Sequence, residues 1–315
     1  MDAPSDSFRS IPAADAALFH VAAADGAALA VYRLTGSADG PALLCGHATG
    51  MAAGSYLPWL RMLSTRARVY AFDARGHGGS AGEAASVTLD ALAYDLLAVA
   101  DAVRGDAQAK FLFYVAHSIS GVAALQLGAA HGKAPWRDLI LFEPPVMVGR
   151  EHSAHAAAMA DTLARAERTA RRRAAWPSQA AFLDLLRSRG VFARFRPDML
   201  EAHVRATLRP AAGGGFRLAC DPLVESAFFR SVRSSGLWDR LPRFPLPARF
   251  VSGDPELADP GAEQARWVTT AASDIAARVP GSRFSMVEGT DHMMICERPE
   301  ACRDLVFAML DEAGA

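Results

Sequence analysis

A chain of 315 residues that is 51% apolar has ample material for a core, and fits one α/β domain carrying an insertion. A formal net charge of −1 gives no bulk attraction to nucleic acid or to an anionic membrane, and no apolar run approaches the length of a membrane span. Cys45, Cys220, Cys296 and Cys302 lack C-x-x-C spacing, and the N-terminus MDAPSDSFRS lacks the positive head and apolar core of a signal peptide; free thiols and a cytoplasmic location are expected.

Leu18 to Ala22 and Ala28 to Leu34 are strand-like runs around Asp25-Gly26, a strong hairpin signal. Pro41 to Gly46 reads as a buried strand leading into His47-Ala48-Thr49-Gly50, a loop able to present backbone amides to an anion. Ala67 to Phe72 is the next strand. The glycine-rich Asp73 to Ser80 after it lacks the spacing of a phosphate-binding loop, so His77 and Arg75 read as structural. Thr88 to Val103 has helical periodicity, with Thr88 or Asp90 placed to cap its start.

Lys110 to Gly121, KFLFYVAHSISG, organises the rest. Phe111 to Val115 carries no charge, as a strand buried on both faces requires. A turn of small residues with Ser118 at its tip then leads into the helical segment Val122 to Ala130. Strand, tight turn, serine and helix make a nucleophile elbow, in which the serine oxygen stands above the sheet and the following amides face a developing oxyanion. The flanking positions, normally glycine, are Ala116 and Ser120.

Asp138 to Phe142 is a further strand, ending in Glu143-Pro144-Pro145. Strands and helices alternate up to there, which predicts a mostly parallel central sheet flanked by helices. From Val146 to about Arg243 the chain reads as helical and strand-poor, with Gly213 to Gly215 as a loop. Arg171, Arg172 and Arg173 lie beside Asp161 and Glu167, the pattern of a solvated helix face. The alternation resumes with a strand at Pro247 to Val251, a helix at Ala262 to Ala277, a strand at Arg283 to Val287 and a helix at Pro299 to Leu310. The expected division is a core of residues 1–147 and 241–315 with an inserted segment of residues 148–240.

His292 follows the last strand. In a doubly wound sheet the loops after the strands share one edge, so Ser118, His292, the Thr49 loop and the Glu143 turn are expected to meet there. The acid that would orient His292 has two candidate places. One is the loop Ser252 to Asp259, which offers Asp254, Glu256 and Asp259. The other is Glu143, a carboxylate at the end of a buried strand, which is costly there unless paired. Glu143 is taken as the acid, with Glu256 as the alternative. No cluster of His, Cys and carboxylates has ligand spacing, so neither metal nor organic cofactor is expected, and His152 and His155 lack a third ligand.

The set HATG (His47 to Gly50), FDARGHGGS (Phe72 to Ser80), AHSISG (Ala116 to Gly121), LFEPP (Leu141 to Pro145) and GTDHMMICERPE (Gly289 to Glu300) resembles the α/β-hydrolase superfamily. The resemblance covers nearly the whole chain outside the insertion. It implies Ser118 as nucleophile, His292 as general base, the backbone amides of Thr49 and Ile119 as oxyanion hole, and the insertion as a helical cap over the pocket. Cleavage of an ester or lactone through an acyl-enzyme is the implied activity, on a small substrate that the aromatic insertion suggests is apolar. A homodimer is left open. Carbon–carbon hydrolysis, lyase or cofactor-free oxygenase chemistry, or a binding protein without catalysis, are the alternatives the fold accommodates.

Overall fold

The computed structural model describes residues 8–37, 39–234, 236–257 and 266–315. Its strands in chain order are β1 (Ala16–Ala22), β2 (Ala28–Leu34), β3 (Ala42–Gly46), β4 (Arg68–Phe72), β5 (Leu112–His117), β6 (Asp138–Phe142), β7 (Ala175–Trp176), β8 (Leu208–Pro210), β9 (Phe216–Leu218), β10 (Arg249–Ser252) and β11 (Arg283–Met286). Eight form the central sheet in the order β1-β2-β4-β3-β5-β6-β10-β11. β1 pairs antiparallel with β2, and β2 with β4; every later pairing is parallel. This is the mostly parallel α/β sheet the alternation predicts.

Helices α1 (Leu57–Leu63), α2 (Leu89–Asp106) and α3 (Ile119–His131) connect the first strands. The segment between β6 and β10 holds α4 (His155–Ala170), α5 (Gln179–Arg187), α6 (Pro197–Thr207), α7 (Pro222–Ser231) and α8 (Leu237–Arg240). α9 (Arg266–Thr270), α10 (Ala272–Ala277), α11 (Met294–Glu297) and α12 (Pro299–Glu312) complete the chain. Thr88 does cap α2, its hydroxyl accepting the amide of Ala91 at 3.1 Å. Of the helix expected from Ala262, residues 262–265 lie outside the described residues, as does Asp259. Among the described residues no helix is long and apolar enough to cross a membrane.

Side-chain alternation along β5 builds two cores, one on each face. Leu112, Tyr114 and Ala116 join the cluster under α2 and α3, whereas Phe113 and Val115 join the one under α1 and α12. The insertion feeds both: Val224, Phe228 and Trp238 enter the first, Trp176, Phe182 and Phe195 the second.

Two sequence expectations for the insertion are corrected. It is not strand-poor throughout, because β7, β9 and β8 make a small antiparallel sheet, with the Gly213 to Gly215 loop turning β8 into β9. Strands of two or three residues are too short to carry a period of two. The arginine triplet is not a helix face, since α4 ends at Ala170. Arg172 pairs with Glu225 at 2.6 Å and the Arg173 guanidinium lies 4.3 Å from the centre of the Trp176 ring. His152 and His155 are engaged structurally, with Asp274 at 3.0 Å and the carbonyl of Val148 at 2.7 Å respectively.

Candidate active site

β5 runs straight into Ser118, whose φ of 58° and ψ of −120° lie where non-glycine residues are rare, at a cost of about 1–3 kcal/mol. Hydrogen bonds hold the strain in place. The Ser118 amide donates to Phe142 at 2.8 Å, and its carbonyl accepts from Gly121 at 2.9 Å and Val122 at 3.2 Å. α3 therefore begins at Ile119, three residues before the apolar pattern suggests. Ala116 and Ser120 fit because the neighbouring strand makes room. Ala116 lies opposite Gly46 of β3, and a Cβ at Gly46 would stand 2.6 Å from Cβ of Ser120. The Ser120 hydroxyl uses this space to reach the carbonyl oxygens of His47 and His117.

The carboxyl ends of β5, β6 and β11 bring Ser118, Glu143 and His292 together. Nε2 of His292 is 3.1 Å from Oγ of Ser118, and Nδ1 is 2.7 Å from Oε2 of Glu143. An ionised carboxylate only accepts, so Nδ1 carries the hydrogen and the lone pair of Nε2 faces the serine. The other Glu143 oxygen accepts the Gly253 amide at 2.7 Å, so both carboxylate oxygens of this buried residue are partnered. Glu143 also sits at a positive φ, 41°, with its amide tied to the carbonyl of Val251. Ser118 is only 5% exposed, while the His292 side chain is 26% exposed, so the site opens on the histidine side.

In the loop after β10, the carboxylates of Asp254 and Glu256 stand apart from this group. Glu256 is exposed, and Asp254 accepts the amides of Glu256 at 2.9 Å and Gly289 at 3.0 Å. Among the described residues, neither carboxylate hydrogen-bonds His292.

Ile119, as the first residue of α3, has an amide without an intrahelical acceptor. The loop of Thr49 is held from both sides: the Ala48 amide donates to the Tyr56 hydroxyl at 3.3 Å and the Gly50 amide to Nε2 of His77 at 3.1 Å. Nε2 of His47 accepts the Ala74 amide at 2.9 Å. Burial lowers the pKa of His47 and, with His47 beside it, that of His77 to about 3. Both rings are thus neutral and serve as fixed acceptors. Arg75 is locked with Asp95 by contacts of 2.6 and 2.7 Å, both side chains buried, which agrees with the structural role read for this loop.

The insertion reaches the same edge at three places. The Glu225 carboxylate fills the space where a Gly50 Cβ would be, 2.6 Å from that position, and is held by Arg172. Phe228 stands edge-on to His77 with centroids 4.7 Å apart. Arg194 donates to the carbonyl of Gly289 at 2.7 Å and to Glu297 at 2.8 Å. Of the insertion's other apolar side chains, Phe182, Leu186 and Phe195 belong to the core beneath α5 and α6. Sequence reasoning missed Tyr56, His117, Arg194 and Glu225. The first two sit in apolar runs and the others in an amphipathic segment, where nothing marks a tertiary partner.

The profile of the family described as "Serine aminopeptidase, S33" matches residues 37–213, more than half of the chain. No curated protein matches in sequence at a significant level. Among solved structures, E-2-(acetamidomethylene)succinate hydrolase superposes with a TM-score of 0.75 at 18% identity, over 94% of this chain and 99% of that one. The enol-lactonase from Burkholderia xenovorans LB400 gives 0.64 at 20% identity, over 93% and 100%. The esterase from Exiguobacterium antarcticum gives 0.65 at 17% identity, over 93% and 98%. At these identities the likeness is one of fold.

Proposed function

Because the chain belongs to the serine aminopeptidase family of α/β-hydrolases, we propose that it is a serine hydrolase cleaving a carboxylic ester or lactone of a small, apolar substrate, with residues 148–240 as its cap. The single observation that carries this reading is the connected series Glu143, His292 and Ser118, at 2.7 and 3.1 Å.

In this reading Nε2 of His292 takes the proton of Ser118 as Oγ attacks the carbonyl carbon. The tetrahedral oxyanion faces the amides of Thr49 and Ile119, and losing one such donor costs about 100-fold or more in rate. As the intermediate collapses, His292 passes its proton to the departing alkoxide. Water then gives a proton to His292 and attacks the acyl-enzyme, and the acid leaves with Ser118 restored. Glu143 accepts from Nδ1 and holds the imidazole in the tautomer required.

A panel of p-nitrophenyl esters, simple lactones and amino-acid p-nitroanilides, run with wild type and Ser118→Ala, tests the proposal. The expected result is ester or lactone turnover lowered on the order of 10⁴-fold or more by the substitution, with folding intact. A Ser118→Ala protein retaining a tenth of the activity would sink the assignment. Turnover of the anilides alone would move the reaction to amides.

A further inference from the structure

Two buried side chains with no part in the chemistry above join all three pieces of the site. The Tyr56 hydroxyl, 3.3 Å from the Ala48 amide that donates to it, lies 2.6 Å from Nδ1 of His117. Nε2 of His117 lies 2.8 Å from the carbonyl oxygen of His292. The direction of this chain follows from its end. A carbonyl only accepts, so Nε2 of His117 carries its hydrogen. Burial, with His292 beside it, holds His117 neutral by lowering its pKa to about 3. Nδ1 therefore has the lone pair and receives the Tyr56 hydroxyl hydrogen. The series reads Ala48 amide, Tyr56 hydroxyl, His117 ring, His292 carbonyl, with every donor and acceptor used once.

Each contact falls at or next to a residue of the proposed machinery. Ala48 precedes Thr49, His117 precedes Ser118, and His292 is the base. We infer that Tyr56 and His117 form a positioning strut that keeps the Thr49 amide, the Ser118 hydroxyl and the His292 ring in register. The inference rests on the reading of Ser118 and His292 given above.

The need for a strut follows from where His292 sits. Its loop leaves β11, a strand at the edge of the sheet whose four residues are all exposed. On the side of β10, the loop is held through the Asp254 amide donating to Thr290 at 2.7 Å. On the side of β5, His117 holds the His292 carbonyl. The Glu143 contact fixes the direction of the His292 ring; Arg194 and Asp254 hold Gly289, three residues earlier, and His117 holds the carbonyl of His292 itself. A displacement of about 1 Å at such a distance can cost on the order of 100-fold. His117 is a rigid ring one peptide from Ser118, so it sets that distance. Tyr56 in turn fixes the His117 ring, and the two rings meet edge to face at 86°.

Three substitutions separate positioning from ordinary core satisfaction. Tyr56→Phe removes one hydroxyl. His117→Asn keeps an acceptor near Nδ1 and loses the donor to His292. His117→Gln retains a donor able to reach the carbonyl. For each, the rate of Ser118 phosphonylation by a fluorophosphonate, kcat and KM on a p-nitrophenyl ester, and the melting temperature are measured. Tyr56→Phe and His117→Asn should slow phosphonylation and lower kcat by about 10- to 100-fold, with KM within about twofold. His117→Gln should recover most of the loss. The double variant Tyr56→Phe/His117→Asn should be no slower than the slower single, because both break one series. Should His117→Asn fail to fold, Tyr56→Phe, which only deletes an atom, decides. A folded Tyr56→Phe protein phosphonylated within about twofold of wild type overturns the strut, as do additive losses. Absence of labelling at Ser118 in the wild type would instead overturn the reading of the site itself.

Discussion

Gly46 on β3 leaves open the space that the Ser120 side chain occupies on α3; a Cβ at Gly46 would stand 2.8 Å from the Ser120 hydroxyl oxygen and 2.7 Å from that of Tyr114. The elbow thus accepts a side chain where a glycine is usual because the adjacent strand carries a glycine opposite it. Gly46→Ala should destabilise the fold by about 1–3 kcal/mol through overpacking and lower kcat as the elbow shifts. Adding Ser120→Gly should restore part of both losses, since the Tyr114 hydroxyl still crowds the new Cβ, read by urea unfolding and ester turnover. If the second change makes matters worse, the two positions do not trade space.

The acid can be assigned by comparing Glu143→Gln, Glu256→Gln and Asp254→Asn at saturating substrate. Glu143 lies against His292, so its amide should lose about 10³- to 10⁴-fold in kcat with KM nearly unchanged. Glu256→Gln should behave as wild type. Asp254→Asn should fall between, because Asp254 accepts the Gly289 amide in the loop of His292. A near-normal Glu143→Gln enzyme beside a collapsed loop variant would transfer the role to the loop.

Stability should peak between mild acid and neutrality. His77, His117 and His203 are neutral in the fold, their pKa values lowered to about 3 chiefly by burial from an ordinary 6.5. The unfolded chain binds these protons first, so their contribution is complete above pH 6.5 and is lost on acidification, each by about 1.4 kcal/mol per pH unit. Glu297 acts in the opposite sense. Burial, then its hydrogen bond with Asp291, raises it from 4.5 to about 8. Its contribution is complete below pH 4.5 and is lost as the pH rises towards 8. Denaturant unfolding at pH 5, 6.5 and 8 should therefore rank 6.5 highest and 5 lowest. A steady rise from 5 to 8 would mean that Glu297 is already ionised in the fold.

Arg75 and Asp95 form a buried pair, so removing one partner strands the other. Arg75→Met should cost about 3–5 kcal/mol, and Arg75→Met/Asp95→Leu should recover much of it. Equal losses in the single and double variants would show that packing of the Arg75 stem, not the charge, is what matters.

Much of the site could be read from the chain because its signals are local. An uncharged strand followed by small residues marks Ser118, and a carboxylate at the end of a buried strand must find a partner, which leads to Glu143. Chain order alone puts His292 on the same edge. Tyr56 and His117 escaped because a tyrosine or histidine beside apolar residues looks like core until its partners are known. β7, β8 and β9 escaped because two or three residues hold no period. Arg172 was misread because its partner, Glu225, is 53 positions away, a separation that no charge pattern along one helix reveals.

Arg194 carries a consequence for how this fold can change. It belongs to the insertion, yet it grips the carbonyl of Gly289 and the carboxyl of Glu297, on either side of His292. Nearby, the Arg196 amide donates to the carbonyl of Cys296 at 2.9 Å. The insertion is therefore not an exchangeable cassette. A graft from a relative lacking these contacts would alter the turnover of every substrate alike, as well as the choice among them. Lineages that diversify this segment would have to keep Arg194 or rebuild residues 288–297 along with it.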